Sequence, residues 1–108
     1  MIKIPTDLTE EFDLLTEWEQ NIVGYIVEEA GLEFGEALDI VSDGDYRTYE
    51  GCHDMEEVAE QIVDEQGLLN DIPTRLQYYF DHAAFGRDLA IEGSFHYVQG
   101  FGYVEVTR

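Results

Sequence analysis

At 108 residues, with 44% hydrophobic and 13% aromatic residues, the chain is one compact domain or two small subdomains sharing a core, and not a disordered acidic tail. It carries 25 Asp and Glu against 5 Lys and Arg, a formal net charge of −20. That excess argues against direct binding of nucleic acid or of anionic membranes, and it favours a basic protein partner.

The charge is uneven. Residues 1–66 hold 20 acidic and 2 basic residues, whereas residues 67–108 hold 5 and 3. Like charge at this density repels itself, so the field is expected to serve a purpose. Ordinary solvated helix faces mix Lys with Glu, yet residues 7–65 contain one basic residue, Arg47. The single cysteine, Cys52, excludes an internal disulfide and fits a reducing cytoplasm. Met1-Ile2-Lys3-Ile4-Pro5 lacks the apolar stretch of a signal peptide. No apolar run approaches the roughly 20 residues that span a bilayer.

From Thr9 the pattern is helical. Phe12, Leu15, Trp18, Ile22, Tyr25, Ile26 and Ala30 recur at steps of three and four. Thr6 or Thr9 is the expected N-cap and Gly31 the stop, with a break permitted at Gly24 or at Glu19-Gln20-Asn21. A short helix fits Phe34 to Val41, and Asp43-Gly44-Asp45 reads as a turn. Tyr46-Arg47-Thr48-Tyr49 reads as a short strand and Gly51-Cys52-His53 as a loop. Asp54 starts the next helix with Glu57 three residues on, a capping-box spacing, and Met55, Val58, Ala59, Ile62 and Val63 form its buried face. Gly67 ends it.

Pro73 opens a further helix with Leu76, Tyr79 and Phe80 apolar, followed by a short helix from Asp81 to Leu89 bent near Gly86. Tyr78, Tyr79, Phe80 and Phe85 are expected in the core. Ser94–Val98 and Tyr103–Val106 alternate about Gly100-Phe101-Gly102, a β-hairpin signal. The expected class is α+β: an acidic helical bundle region over 1–66, then a subdomain over 67–108 built of a small helix plus a β-hairpin. There is no internal repeat.

Catalytic and metal chemistry find little support. Cys52 and His53 adjoin, but sequence neighbours seldom point at each other, and a third orienting group is undefined. His82 and His96 are distant in sequence, so no metal and no cofactor is expected. Asp43-Gly44-Asp45 lacks the remaining ligands of an EF-hand. Gly31-Leu32-Glu33-Phe34-Gly35 lacks the pattern of a phosphate-binding loop.

Carboxylates three and four apart on a helix stand about 5–6 Å from one another, a spacing comparable to that of successive phosphates. At one charge per ~1.7 Å of duplex, 20 net charges correspond to roughly 34 Å, or about ten base pairs.

The most distinctive stretch runs from Leu68 to Leu89. Gly67-Leu68, Pro73-Thr74-Arg75-Leu76, Tyr79-Phe80-Asp81 and Gly86-Arg87-Asp88-Leu89 follow one another in it. This succession resembles the ArdA antirestriction family, whose pattern there is Gly-Leu, Pro-x-x-Leu, Tyr-hydrophobic-Asp-Tyr and Gly-Arg-Asp-Leu. Asp54-Met55-Glu56-Glu57-Val58-Ala59 and Gly102-Tyr103-Val104-Glu105 also fit, while residues 1–45 fit more loosely, as an acidic helical middle region. Where the family has Asp-Tyr, this chain has Asp81-His82.

The resemblance implies a non-enzymatic DNA mimic from a mobile element or phage. It would act in the bacterial host cytoplasm as a homodimer that occupies the DNA-binding groove of type I restriction–modification enzymes. It also implies a shortened form, without the family's N-terminal subdomain. The phosphate surrogates would be Glu10, Glu11, Asp13, Glu17, Glu28, Glu29, Glu33, Glu36, Glu56, Glu57, Glu60, Asp64 and Glu65. Candidates for the motif and dimer seam are Tyr79, Phe80, Asp81, Phe85, Gly86, Arg87 and Asp88, with Arg87 or Arg75 pairing Asp81 or Asp88. Two rival readings stand beside this one: an acidic interaction protein for another basic DNA-binding or host-defence protein, and a small hydrolase using carboxylates or Cys52.

Overall fold

A computed structural model describes residues 4–108. After a 3-10 turn at Thr6–Leu8 come helices α1 (Thr9–Asp13), α2 (Glu17–Ala30) and α3 (Phe34–Asp43), strand β1 (Tyr46–Glu50) and helix α4 (Met55–Gln66). The one-turn helix α5 (Thr74–Gln77), helix α6 (His82–Glu92) and strands β2 (Phe95–Val98) and β3 (Gly102–Val106) complete the order. The mixed α+β class is as expected from the sequence.

Capping chemistry sets the boundaries. The long N-terminal pattern breaks at Leu14–Thr16, ahead of both expected positions, because Thr16 and Glu19 form a reciprocal capping box (3.1 and 3.0 Å). Gln20 stitches the break by donating to the carbonyls of Phe12 (3.0 Å) and Leu15 (3.4 Å). Thr6 and Thr9 cap nothing; the Thr9 hydroxyl donates back to the Pro5 carbonyl instead. Asp54 caps α4 by accepting from the Glu57 N–H, but the Glu57 carboxylate returns its bond to the N–H of His53 rather than of Asp54. Gly31, Gly44 and Gly67 close α2, α3 and α4 in the left-handed conformation, as their positions predict.

The three strands form one antiparallel sheet in the order β1-β3-β2. Register pairs Tyr49 with Tyr103 and Tyr97 with Tyr103, so alternate residues of all three strands share a face. On one face Val98 and Val104 join Ile22, Val23 and Ile26 of α2 and Leu38, Ile40 and Val41 of α3 in a buried cluster. On the other, Tyr49 joins Val58 and Ile62 of α4, with Phe85 and Leu89 of α6 packed against them. The sheet is thus sandwiched between two helical layers. Both cores draw on both sides of the charge boundary at residue 66.

Helix α6 runs unbroken through Gly86. Gly86 is buried, and a Cβ there would stand 2.6 Å from the Met55 carbonyl, so its role is close approach to the start of α4. The body measures 57 × 22 × 20 Å with a radius of gyration of 16.3 Å, above the ~13 Å of a compact chain this long.

Candidate functional site

The acidic residues are distributed over four helices. Glu10, Glu11 and Asp13 stand on α1; Glu17, Glu28 and Glu29 on α2; Glu33 and Glu36 at the start of α3; and Glu56, Glu57, Glu60, Asp64 and Glu65 on α4. Twelve of these thirteen are exposed, and no charged residue of the described chain is buried. The exception, Glu57, is half-buried and lies 3.1 Å from His53 Nδ1. Apart from that contact, ion pairs among the described residues are confined to Arg108 with Asp43 (2.7 Å) and Asp45 (3.1 Å). The twelve exposed carboxylates therefore have no cation within ion-pair distance among the described residues. Asp39 belongs with this set: it is exposed on α3, three residues after Glu36, and that helical spacing is the signal that marks it.

Net charge per unit length is about one per 3 Å along the 57 Å axis, against one per ~1.7 Å of duplex. The length corresponds to about 17 base pairs at 3.4 Å each, longer than the roughly ten that the charge total alone matches.

The seven motif residues divide. Phe85 packs against the α4 core, and Gly86 is buried on Met55. Phe80 is half-buried and meets Phe85 edge-on with centroids 5.7 Å apart. Asp81 is the N-cap of α6, accepting from the Ala84 N–H at 2.9 Å. The expected pairing of Arg87 or Arg75 with Asp81 or Asp88 is not among the ion pairs of the described residues. The reason is local: Asp81 is turned to its cap, and residues adjacent or six apart on a helix do not face each other. Tyr78 and Tyr79, expected in the core, are instead 85% and 84% exposed. With Leu68, Ile72 and Leu76, also exposed, they make residues 68–79 a strip of chain rich in exposed apolar side chains. Gln77 holds that segment in place by donating to the carbonyls of Leu69 and Ile72, both at 2.9 Å.

Cys52 and His53 point apart. The buried Cys52 thiol donates to Gln61 Oε1 (3.5 Å), while His53 turns to Glu57. Burial, with Glu57 and Asp54 adding to it, pushes the Cys52 pKa up, opposite to the shift that activates a nucleophile. Burial and the hydrogen bond from Tyr49 to Glu105 (2.9 Å) likewise push the Tyr49 phenol up. Among the described residues no group of three or more His, Cys, Asp or Glu is placed to hold a metal ion, and no helix is long and apolar enough to cross a membrane.

Fold and surface together define an elongated acidic α+β protein whose carboxylates are displayed rather than gathered into a pocket. The family model described as antirestriction protein (ArdA) matches residues 3–105, and the chain belongs to that family. The match takes in the acidic helices as well as the stretch from Leu68 to Leu89. Membership implies antirestriction function with a restriction enzyme as target; ArdA antirestriction proteins are inhibitors, not enzymes. No curated protein matches the chain.

Proposed function

We propose that this protein inhibits a type I restriction–modification enzyme by occupying its DNA-binding groove as a mimic of the DNA backbone, in the bacterial cytoplasm and as a homodimer. The observation that supports this reading is the exposure of twelve carboxylates, with no ion-pair partner among the described residues, on a body 57 Å long and about as wide as a duplex. A basic groove that binds phosphates gains most from releasing counterions, and fixed exposed carboxylates supply the same term. The field is collective, so no single carboxylate carries it. The apolar strip at 68–79 lies in the charge-poor part of the chain, where two copies meet with the least repulsion.

The test is competition between the purified protein and labelled duplex for a type I methyltransferase core across salt concentrations. Displacement of DNA at low salt is the expected outcome, with the affinity of both the protein and the duplex for the enzyme falling as salt rises. Substituting Gln for Glu at six to eight of the named positions together should abolish displacement while the circular dichroism spectrum is kept. Binding to polycations without displacing DNA would instead favour the acidic interaction protein.

A further inference from the structure

β3 is central, so β1 and β2 are the edges of the sheet. The Val106 N–H donates to the Ser94 carbonyl at 3.0 Å, which sets the phase of the β2–β3 ladder. His96 and Val98 therefore turn their backbone groups toward β3. The N–H and C=O of Phe95 and Tyr97 point outward, and no backbone partner among the described residues takes them. Proteins commonly guard such an edge with charge or proline. β1 carries Arg47 and Glu50, whereas β2 reads Phe-His-Tyr-Val and carries neither proline nor an acidic or strongly basic residue.

Beside this edge lies a cleft of about 310 Å³ between α3 and the sheet. Leu32, Ile40 and Val106 supply its apolar lining, and Glu36, His96 and Arg108 its polar groups. Arg108 is already neutralised by Asp43 and Asp45, so the open charge at the cleft is that of Glu36. A strand laid along β2 sends every second side chain to the face of His96, over this cleft. A long aliphatic stem with a cationic head matches that lining.

We infer that the β2 edge binds an extended basic segment of another protein by strand addition, with a Lys or Arg side chain seated in the cleft at Glu36. Main-chain bonds to Phe95 and Tyr97 supply affinity, and the cleft supplies side-chain selectivity. The inference does not rest on DNA mimicry, because the edge binds its segment whether or not the helices occupy a DNA groove.

The test is an NMR titration of the full-length protein with a blocked peptide of alternating Lys and Val, about six residues long, at roughly physiological salt, where the screening length is ~8 Å. Amide shifts concentrated at Phe95–Val98 and Glu36 are expected. Tyr97→Pro, which removes an outward N–H and no ladder bond, should weaken binding at least tenfold, and E36Q should weaken it several-fold. A Lys-Pro repeat of equal charge, which cannot add as a strand, should leave Phe95–Val98 unshifted. Should Tyr97→Pro not fold, a Lys-Val peptide methylated on its valine nitrogens replaces it and should lose the same affinity. Shifts spread over the acidic helices with none at β2, equal binding of the Lys-Pro peptide, or no binding at all overturns the inference. So does broadening at β2 that grows with protein concentration alone, which would mean self-pairing.

Discussion

Gly86 shows how one residue sets the spacing of two helices. Its missing side chain lets α6 rest on the first turn of α4, where a Cβ would meet backbone that has nowhere to retreat. Gly86→Ala should cost about 1–3 kcal/mol as an overpacking change, read as a lower urea midpoint at an unchanged slope. Gly102, at φ 138°, plays the same part in the sheet, where a Cβ would collide with the Tyr49 carbonyl. Tyr49 carries the pH dependence at this scale. Its folded pKa lies above the ordinary tyrosine value of 10.0, so its contribution is complete below that value. Above it the unfolded chain releases a phenolic proton that the folded chain retains, and stability falls as pH rises. Cys52 acts in the same direction from its ordinary value of 9.0. Tyr49→Phe should therefore flatten the loss of stability above about pH 10, measured as urea midpoints against pH.

At the scale of elements, caps rather than propensity decide the boundaries. The stretch from Thr9 to Ala30 carries one apolar period throughout, yet it is two helices, because the Thr16–Glu19 box offers the backbone a better start than continuation does. Thr16→Ala should cost about 1 kcal/mol and lower the melting temperature by several degrees. The connector between α4 and α6 is ordered by Gln77, whose two bonds hold the carbonyls of Leu69 and Ile72. The exposure of Leu76, Tyr78 and Tyr79 follows from this: a single helical turn has too little face to bury them. The tie of Arg108 to Asp43 and Asp45 is surface-exposed, so Arg108→Ala should change stability by about 0–1 kcal/mol, and less in high salt.

For the whole molecule, shape and charge act together. A body 57 Å long spreads the net charge more thinly than a duplex does, so mimicry has to come from where the carboxylates stand as well as from how many there are. Single Glu→Gln changes on α1 to α4 should leave inhibition almost unchanged, because each removes a small part of a shared field. The apolar strip makes a separate prediction. Combined replacement of Leu76, Tyr78 and Tyr79 by Ser should leave the circular dichroism spectrum of the folded protomer unchanged, since these side chains are exposed in it. If the strip is the self-association face, the same variant sediments as a monomer at concentrations where the parent is a dimer.

By itself the sequence determined what is local or additive: the net charge, the glycine helix stops, the Asp54 start of α4, the hairpin and the family motif. These follow from periodicity, capping and turn chemistry, which act within a few residues. Only the tertiary structure decided that β1 joins the hairpin across some fifty residues of chain. It alone turned Gly86 onto the start of α4 and left Tyr78 and Tyr79 in solvent while Phe85 went to the core, as expected. Periodicity already marked the buried face of α4, but strand pairing and the burial of residues outside a regular period depend on partners distant in sequence. The placement of the carboxylates belongs to both levels: helical spacing puts them on outer faces, and the three-layer packing leaves twelve of the thirteen exposed.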